Sequence, residues 1–70
     1  MPLTFASKGE EVTIVKVGGK EESRKFLENL GFTTDSRITV VSETAGNLIV
    51  NVRDSRVAIG REMANKIQVA

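Results

Sequence analysis

The side chains that most often carry chemistry in proteins are either missing from this chain or poorly spaced. Its 70 residues include no cysteine and no histidine. Thiolate and imidazole metal ligands are therefore absent, as are the commonest general base and the usual nucleophile–base pairs. Nine acidic side chains remain, and none falls in the spacing of a calcium-binding loop. The sequence therefore predicts no enzyme, no metal site and no cofactor site.

One short segment has the outline of a phosphate-binding loop. Gly18, Gly19 and Lys20 follow an apolar stretch and precede a helical pattern. The earlier glycine of that motif and its following serine or threonine are missing, and Glu21 would repel a phosphate. We interpret this segment as a turn between a strand and a helix.

Arg53, Arg56 and Arg61 are the other residues that suggest a ligand, because they flank a predicted strand and could face an acidic partner or a phosphate backbone. Isolated surface charges contribute little by themselves. The ten basic and nine acidic side chains give a net charge of +1, which does not favour a dedicated nucleic-acid surface. We therefore treat the three arginines as candidate residues for binding a protein partner.

The elements that position these side chains are short strands and one helix. β-Branched residues, turn signals and glycines delimit them. In chain order, we expect a strand over Glu11–Val17, a helix over Lys20–Leu30, strands over Arg37–Glu43, Leu48–Arg53 and Val57–Ile59, a helical turn over Arg61–Lys66 and a last strand over Ile67–Val69.

Two details of this pattern concern the core. In the first strand, Val12 and Ile14 share one face while Val15 and Val17 share the other, which predicts a bend or bulge. The segment before the first strand, residues 1–9, should place Leu3 or Phe5 on the core. Because the chain has no tryptophan or tyrosine and core packing accounts for its three phenylalanines, no aromatic groove for proline-rich peptides is expected.

The helix is expected to end in a folded-back cap. Gly31 suits the left-handed position just past a helix, and Phe32 can then pack on Leu27 in a Schellman-type motif. We expect Leu27, Leu30 and Phe32 to be buried.

These elements predict a mainly β fold in one domain over residues 1–70. The best match is a small SH3-like, partly open barrel of about five strands, with one helix after the first strand and a short helical turn before the last. A two-layer α+β sandwich is the alternative. Because the chain has no apolar run of membrane-spanning length and no signal-like N-terminus, we expect a cytoplasmic protein that does not span a membrane.

The order of several motifs resembles that of the FeoA family, the ferrous-iron transport protein A family. The likeness covers Leu3 to Val69. The motifs are Gly9, Leu27-Glu28-Asn29-Leu30-Gly31-Phe32, Gly46-Asn47-Leu48-Ile49-Val50 and the run from Arg56 to Val69. The resemblance implies an SH3-like barrel and a cytoplasmic, non-enzymatic accessory protein of bacterial ferrous-iron uptake. Its implied partner is FeoB, a membrane transporter with a cytoplasmic GTP-binding domain.

The chain departs from the family pattern at Thr34 and Asp35, where a proline–glycine turn is common. We expect Asp35 to shape this turn by Asx-type bonding, and we add Thr33, Thr34 and Asp35 to the candidate partner-binding residues. Although the family name points to a transition metal ion, we expect no tight ferrous-iron site.

Other interpretations remain open. The second half of the chain is mildly basic, which would suit a small nucleic-acid-binding barrel. A relative of this domain also forms the C-terminus of metal-dependent repressors, and the chain could be a free-standing version of it. Strand-edge pairing could build a metal-regulated homodimer. We expect a monomer or a weak homodimer.

Overall fold

Five antiparallel strands and two helices make up most of the chain, and the computed structural model describes all residues from 1 to 70. A 3-10 turn over Leu3–Phe5 comes first. It is followed by β1 (Glu11–Val17), α1 (Glu21–Asn29), β2 (Arg37–Thr44), β3 (Asn47–Val52), β4 (Ser55–Gly60), α2 (Arg61–Ala64) and β5 (Ile67–Val69). The strands lie in the order β4-β3-β2-β1-β5. This confirms the predicted mainly β class, with one helix after the first strand and a short one before the last.

β1 bends so that it serves two neighbours. Its first half, from Glu11 to Thr13, pairs with β2, and its second half pairs with β5. The register shifts between Ile14 and Lys16. The extra residue, Val15, is 54% exposed, whereas Ile14 before it and Val17 two residues after it are buried. The predicted bulge is therefore confirmed, and it curls the sheet towards a barrel.

Two tight hairpins join β2 to β3 and β3 to β4. In the first, Thr44 pairs with Asn47 across the two residues Ala45 and Gly46, both with positive φ, at 48° and 82°. Such values match the twist of the flanking strands. Leu48, Val50 and Val52 are buried along one face of β3, as the alternating pattern predicted.

The end of α1 has the predicted Schellman geometry. The Phe32 N–H donates to the Leu27 carbonyl oxygen at 3.0 Å, and the Gly31 N–H donates to the Glu28 carbonyl oxygen at 2.9 Å. Gly31 has φ of 105°. A Cβ atom added there would lie 2.8 Å from Val52 Cγ1. Glycine is thus required both by the backbone angle and by the close approach of β3.

The core is one cluster of fifteen buried hydrophobic side chains. Leu27 and Phe32 are fully buried within it, as expected. Leu30 is only partly buried and packs against its edge, so the prediction of full burial at this position was wrong. Leu30 lies three residues after Leu27, about 300° around the helix axis, which places it beside the buried line of α1 instead of on it.

Two phenylalanines predicted to be in the core lie at the surface. Phe5 is 71% exposed and Phe26 is 52% exposed. In a 3-10 turn, residues two apart point to different sides, so burial of Leu3 turns Phe5 outward. On α1, adjacent residues differ by about 100° around the axis, so burial of Leu27 leaves Phe26 at the margin.

The two edges of the sheet differ. The outer edge of β5 is covered by the start of the chain, since Pro2 forms a bridge with Gln68 and the Val69 N–H donates to the Met1 carbonyl oxygen at 2.7 Å. β4 pairs only with β3. Neither helix is long and apolar enough to cross a lipid bilayer.

We expect Phe32→Ala to lower the free energy of unfolding by about 3–5 kcal/mol, because the ring is fully buried and its loss leaves a cavity. Urea denaturation followed by circular dichroism measures this change. Phe26→Ala is the matched control, and its loss should stay below about 1 kcal/mol because that ring is half exposed. A loss below about 1 kcal/mol for Phe32→Ala would contradict this description of the core.

Candidate partner-binding surface

The chain offers surfaces and edges, with no enclosed site. No pocket indents the surface, and no three acidic side chains are grouped to hold a metal ion. All buried residues are hydrophobic. Such a molecule can recognise another by contact along its surface, so the positions of the predicted partner-binding residues determine which surfaces are candidates.

Residues 33–36 form a β-turn that is tied to the bulge of β1. The Ser36 N–H donates to the Thr33 carbonyl oxygen at 3.0 Å, and Asp35, the third residue of the turn, has φ of 72°. This is the position that requires positive φ in a type II turn, where glycine is usual. The Asp35 N–H donates to the Ile14 carbonyl oxygen at 2.8 Å, and the Ile14 N–H donates to the Ser36 carbonyl oxygen at 2.9 Å.

The predicted Asx-type bonding at Asp35 was wrong. The side-chain hydrogen bond of this turn joins the hydroxyls of Thr33 and Ser36, whose oxygens are 2.6 Å apart. Because backbone bonds to β1 already hold Asp35 in its left-handed conformation, its carboxylate is not needed for the turn. Asp35 and Thr34 are exposed, so both side chains can reach a partner.

Arg53 lies at the same end of the barrel as this turn. It directly follows Val52, which packs against Gly31, and its Nε atom lies 4.0 Å from the point where a Gly31 Cβ would be. Arg53 also has positive φ, at 56°. Its side chain thus lies near the carboxyl end of α1, where the helix dipole favours a cation.

Arg56 and Arg61 occupy β4 and the residue after it. Arg56 Nε donates to Asn51 Oδ1 across the β3–β4 pair at 3.0 Å. The Arg61 guanidinium forms an ion pair with Glu43. Because a strand rises about 3.3 Å per residue, Arg53 and Arg61 lie at opposite ends of β4. The six candidates thus form one group around the 33–36 turn and Arg53, and a second group along β4.

Two surface features were missed in the sequence. The exposed rings of Phe5 and Phe26 were assigned to the core because apolar content alone does not show which side of a short helix is covered. The second feature is the uncovered outer edge of β4, which can be recognised only once the order of the strands in the sheet is known. In the sequence, the one indication of this edge is that β4 is followed by a helix and not by another hairpin.

These observations define a small SH3-like barrel whose candidate residues lie on its surface. A family model described as FeoA domain matches residues 1–70. The chain belongs to the FeoA family, whose members are non-enzymatic accessory proteins of ferrous-iron transport.

Individual proteins agree with this assignment. The chain is 35% identical over 68 residues to "Putative Fe(2+) transport protein A" of Methanocaldococcus jannaschii, covering 97% of this chain and 83% of that protein. A crystal structure of an iron uptake regulatory protein, FeoA, matches with a TM-score of 0.90 and 27% identity, covering 99% of this chain and 93% of the other.

A FeoA of Stenotrophomonas maltophilia, solved with zinc and described as a prokaryotic SH3 domain protein, matches with a TM-score of 0.87. Its identity is 20%, and the match covers 100% of this chain and 89% of the other. This likeness confirms the predicted SH3-like fold.

We expect Asp35→Gly to raise the free energy of unfolding by about 0.5–1 kcal/mol, because glycine adopts positive φ without a side-chain penalty. Asp35→Ala should instead lower it, since alanine lacks the tolerance of aspartate for this conformation. Thermal denaturation of the three proteins compares them directly. If Asp35→Gly proved less stable than the parent protein, the carboxylate would have a structural role that this turn does not show.

We expect no stoichiometric binding of ferrous ion at micromolar concentration, because the chain lacks thiolate and imidazole ligands and its carboxylates are dispersed. Anaerobic titration calorimetry with Fe²⁺ measures this, with Mg²⁺ as the control for weak surface binding. A saturable isotherm with one ion per chain would refute the expectation.

Proposed function

We propose that this protein is a cytoplasmic accessory protein of ferrous-iron uptake that acts by binding the membrane transporter FeoB. The observation that carries the proposal is the match of the FeoA model along residues 1–70, supported by the relative named for Fe(2+) transport. We further propose that residues 1–70 act as one barrel domain and that the protein is a monomer or a weak homodimer.

Binding is favoured as the mode of action because the chain has contact surfaces and no reaction centre. The proposed contact residues are Thr33, Thr34, Asp35, Arg53, Arg56 and Arg61, all of which are at least partly exposed. The turn at residues 33–36 is held rigidly by its bonds to β1. A rigid, exposed turn loses little conformational entropy on binding, which favours its use in recognition.

The test is association with the cognate FeoB in detergent micelles, together with ferrous-iron uptake in a strain that lacks this protein. We expect the parent protein to bind and to restore uptake. Arg53→Glu should weaken binding by about tenfold or more, because it reverses the charge beside the 33–36 turn. Lys8→Glu is the matched control, since it makes the same charge change at an exposed residue outside both groups.

Asp35→Gly separates the backbone of the turn from its carboxylate. It keeps the conformation and removes the charge, so weaker binding by this variant, in spite of its expected gain in stability, would assign the contact to the side chain. Absence of association by the parent protein, combined with normal iron uptake in the deletion strain, would refute the proposed function. Binding to nucleic acid that weakens steeply with salt would support the nucleic-acid alternative instead.

A further inference from the structure

We propose that the outer edge of β4 binds an extended, acidic segment of a partner polypeptide by adding it to the sheet as a further strand. This inference rests on the proposed function in one respect, namely that the partner is a protein. What is new is the surface that binds, the way in which it binds, and the charge of the bound segment.

The first observation is that β4 has unused backbone groups. β4 closes on β3 through a two-residue turn, with Val52 opposite Ser55, and the register continues from there to Gly60 without a shift. In such a hairpin the closing pair exchanges its hydrogen bonds, so alternate residues direct their N–H and C=O groups away from β3. Arg56 and Ala58 occupy those alternate positions, and both are exposed.

The second observation is the contrast between the two edge strands of the sheet. The β1–β5 ladder contains a register shift, whereas the β3–β4 ladder contains none. The edge of β5 is covered by Met1 and Pro2. Bulges, prolines, covering segments and charged side chains are the usual means of protecting edges. Of these, β4 has only the charged side chain of Arg56, which leaves a regular backbone template for a strand of opposite charge.

Charge determines which strand fits. From Arg53 to Arg61 the chain carries three arginines and a single acidic residue, Asp54. Arg61 is already paired with Glu43, while Arg56 has only the neutral Asn51 amide as a hydrogen-bond partner. An added strand with carboxylates on its solvent face would place them beside Arg56, where cross-strand pairs of opposite charge are favourable.

A second copy of this chain fits less well. Antiparallel self-pairing of β4 with Val57 opposite Val57 would bring the two Arg56 side chains to diagonal positions on the solvent face. No residue from Ser55 to Gly60 of either copy supplies a carboxylate to offset these like charges. The edge therefore favours an acidic partner over a homodimer.

A synthetic peptide of alternating glutamate and valine, about eight residues long, provides the probe. Its matched control has lysine in place of glutamate. With the ¹⁵N-labelled protein, we expect the acidic peptide to shift the amide signals of Arg56 and Ala58 and to slow their hydrogen exchange. The amide of Val57, which faces β3, serves as an internal reference that is protected with or without peptide.

Ala58→Pro is the decisive variant. It removes an outward N–H that β3 does not use, and proline is tolerated at such edge positions. We expect it to keep the fold and to bind the acidic peptide at least about tenfold more weakly. Ala58→Val, which keeps the N–H, should bind as the parent does. Arg56→Glu should reverse the charge preference of the edge, so that this variant binds the lysine peptide more tightly than the glutamate peptide.

The inference fails if the acidic peptide leaves the β4 amides unchanged, if Ala58→Pro binds it like the parent, or if β4 amides are protected by concentration-dependent dimerisation. Association with FeoB separates the two proposals. If Ala58→Pro binds FeoB normally, the β4 edge is not the contact and the proposed function stands. If the parent protein also fails to bind FeoB, the proposed function is refuted. The binding of the acidic peptide to β4 then tests the edge site by itself.

Discussion

The fold depends on the backbone reversal at Gly31, which ends α1 and directs the Phe32 ring into the core. Two hydrogen bonds fix the reversal, from Phe32 to Leu27 and from Gly31 to Glu28. A chain of 70 residues has a small core, and Phe32 is the largest of its fully buried side chains. The same glycine allows β3 to approach α1 at Val52. One residue without a side chain thus determines where the helix ends and where the β3–β4 hairpin meets it.

Sequence patterns predicted the parts of the fold that depend on local chemistry. The phase change around Val15 indicated the β1 bulge, and the alternation at Leu48, Val50 and Val52 indicated which face of β3 is buried. Gly31 indicated the cap. The errors at Phe5 and Phe26 have a common cause, since a short helix has room for one buried line of side chains. Hydrophobicity does not state which residue occupies that line.

The candidate surface was predictable only in part. Residue type and the family resemblance pointed to the 33–36 turn and to the three arginines, but their grouping required the fold. Arg53 belongs with the turn because Val52 packs on Gly31, whereas Arg61 lies at the far end of β4 beside Glu43. The exposed edge of β4 follows from strand order, which is a long-range property of the whole chain. A surface that binds a partner through dispersed residues has no short sequence motif by which it could be recognised.

Site-specific photo-crosslinking in cells tests most directly whether this barrel works by contact along β4. A photoreactive residue at position 58 would sit on the exposed strand edge, and the same residue at exposed position 8 would lie outside both groups of candidate contact residues. We predict a crosslink to FeoB from position 58 and none from position 8. Crosslinking to FeoB from position 8 alone would contradict the edge site, and no crosslink to FeoB from any exposed position would contradict the proposed mode of action.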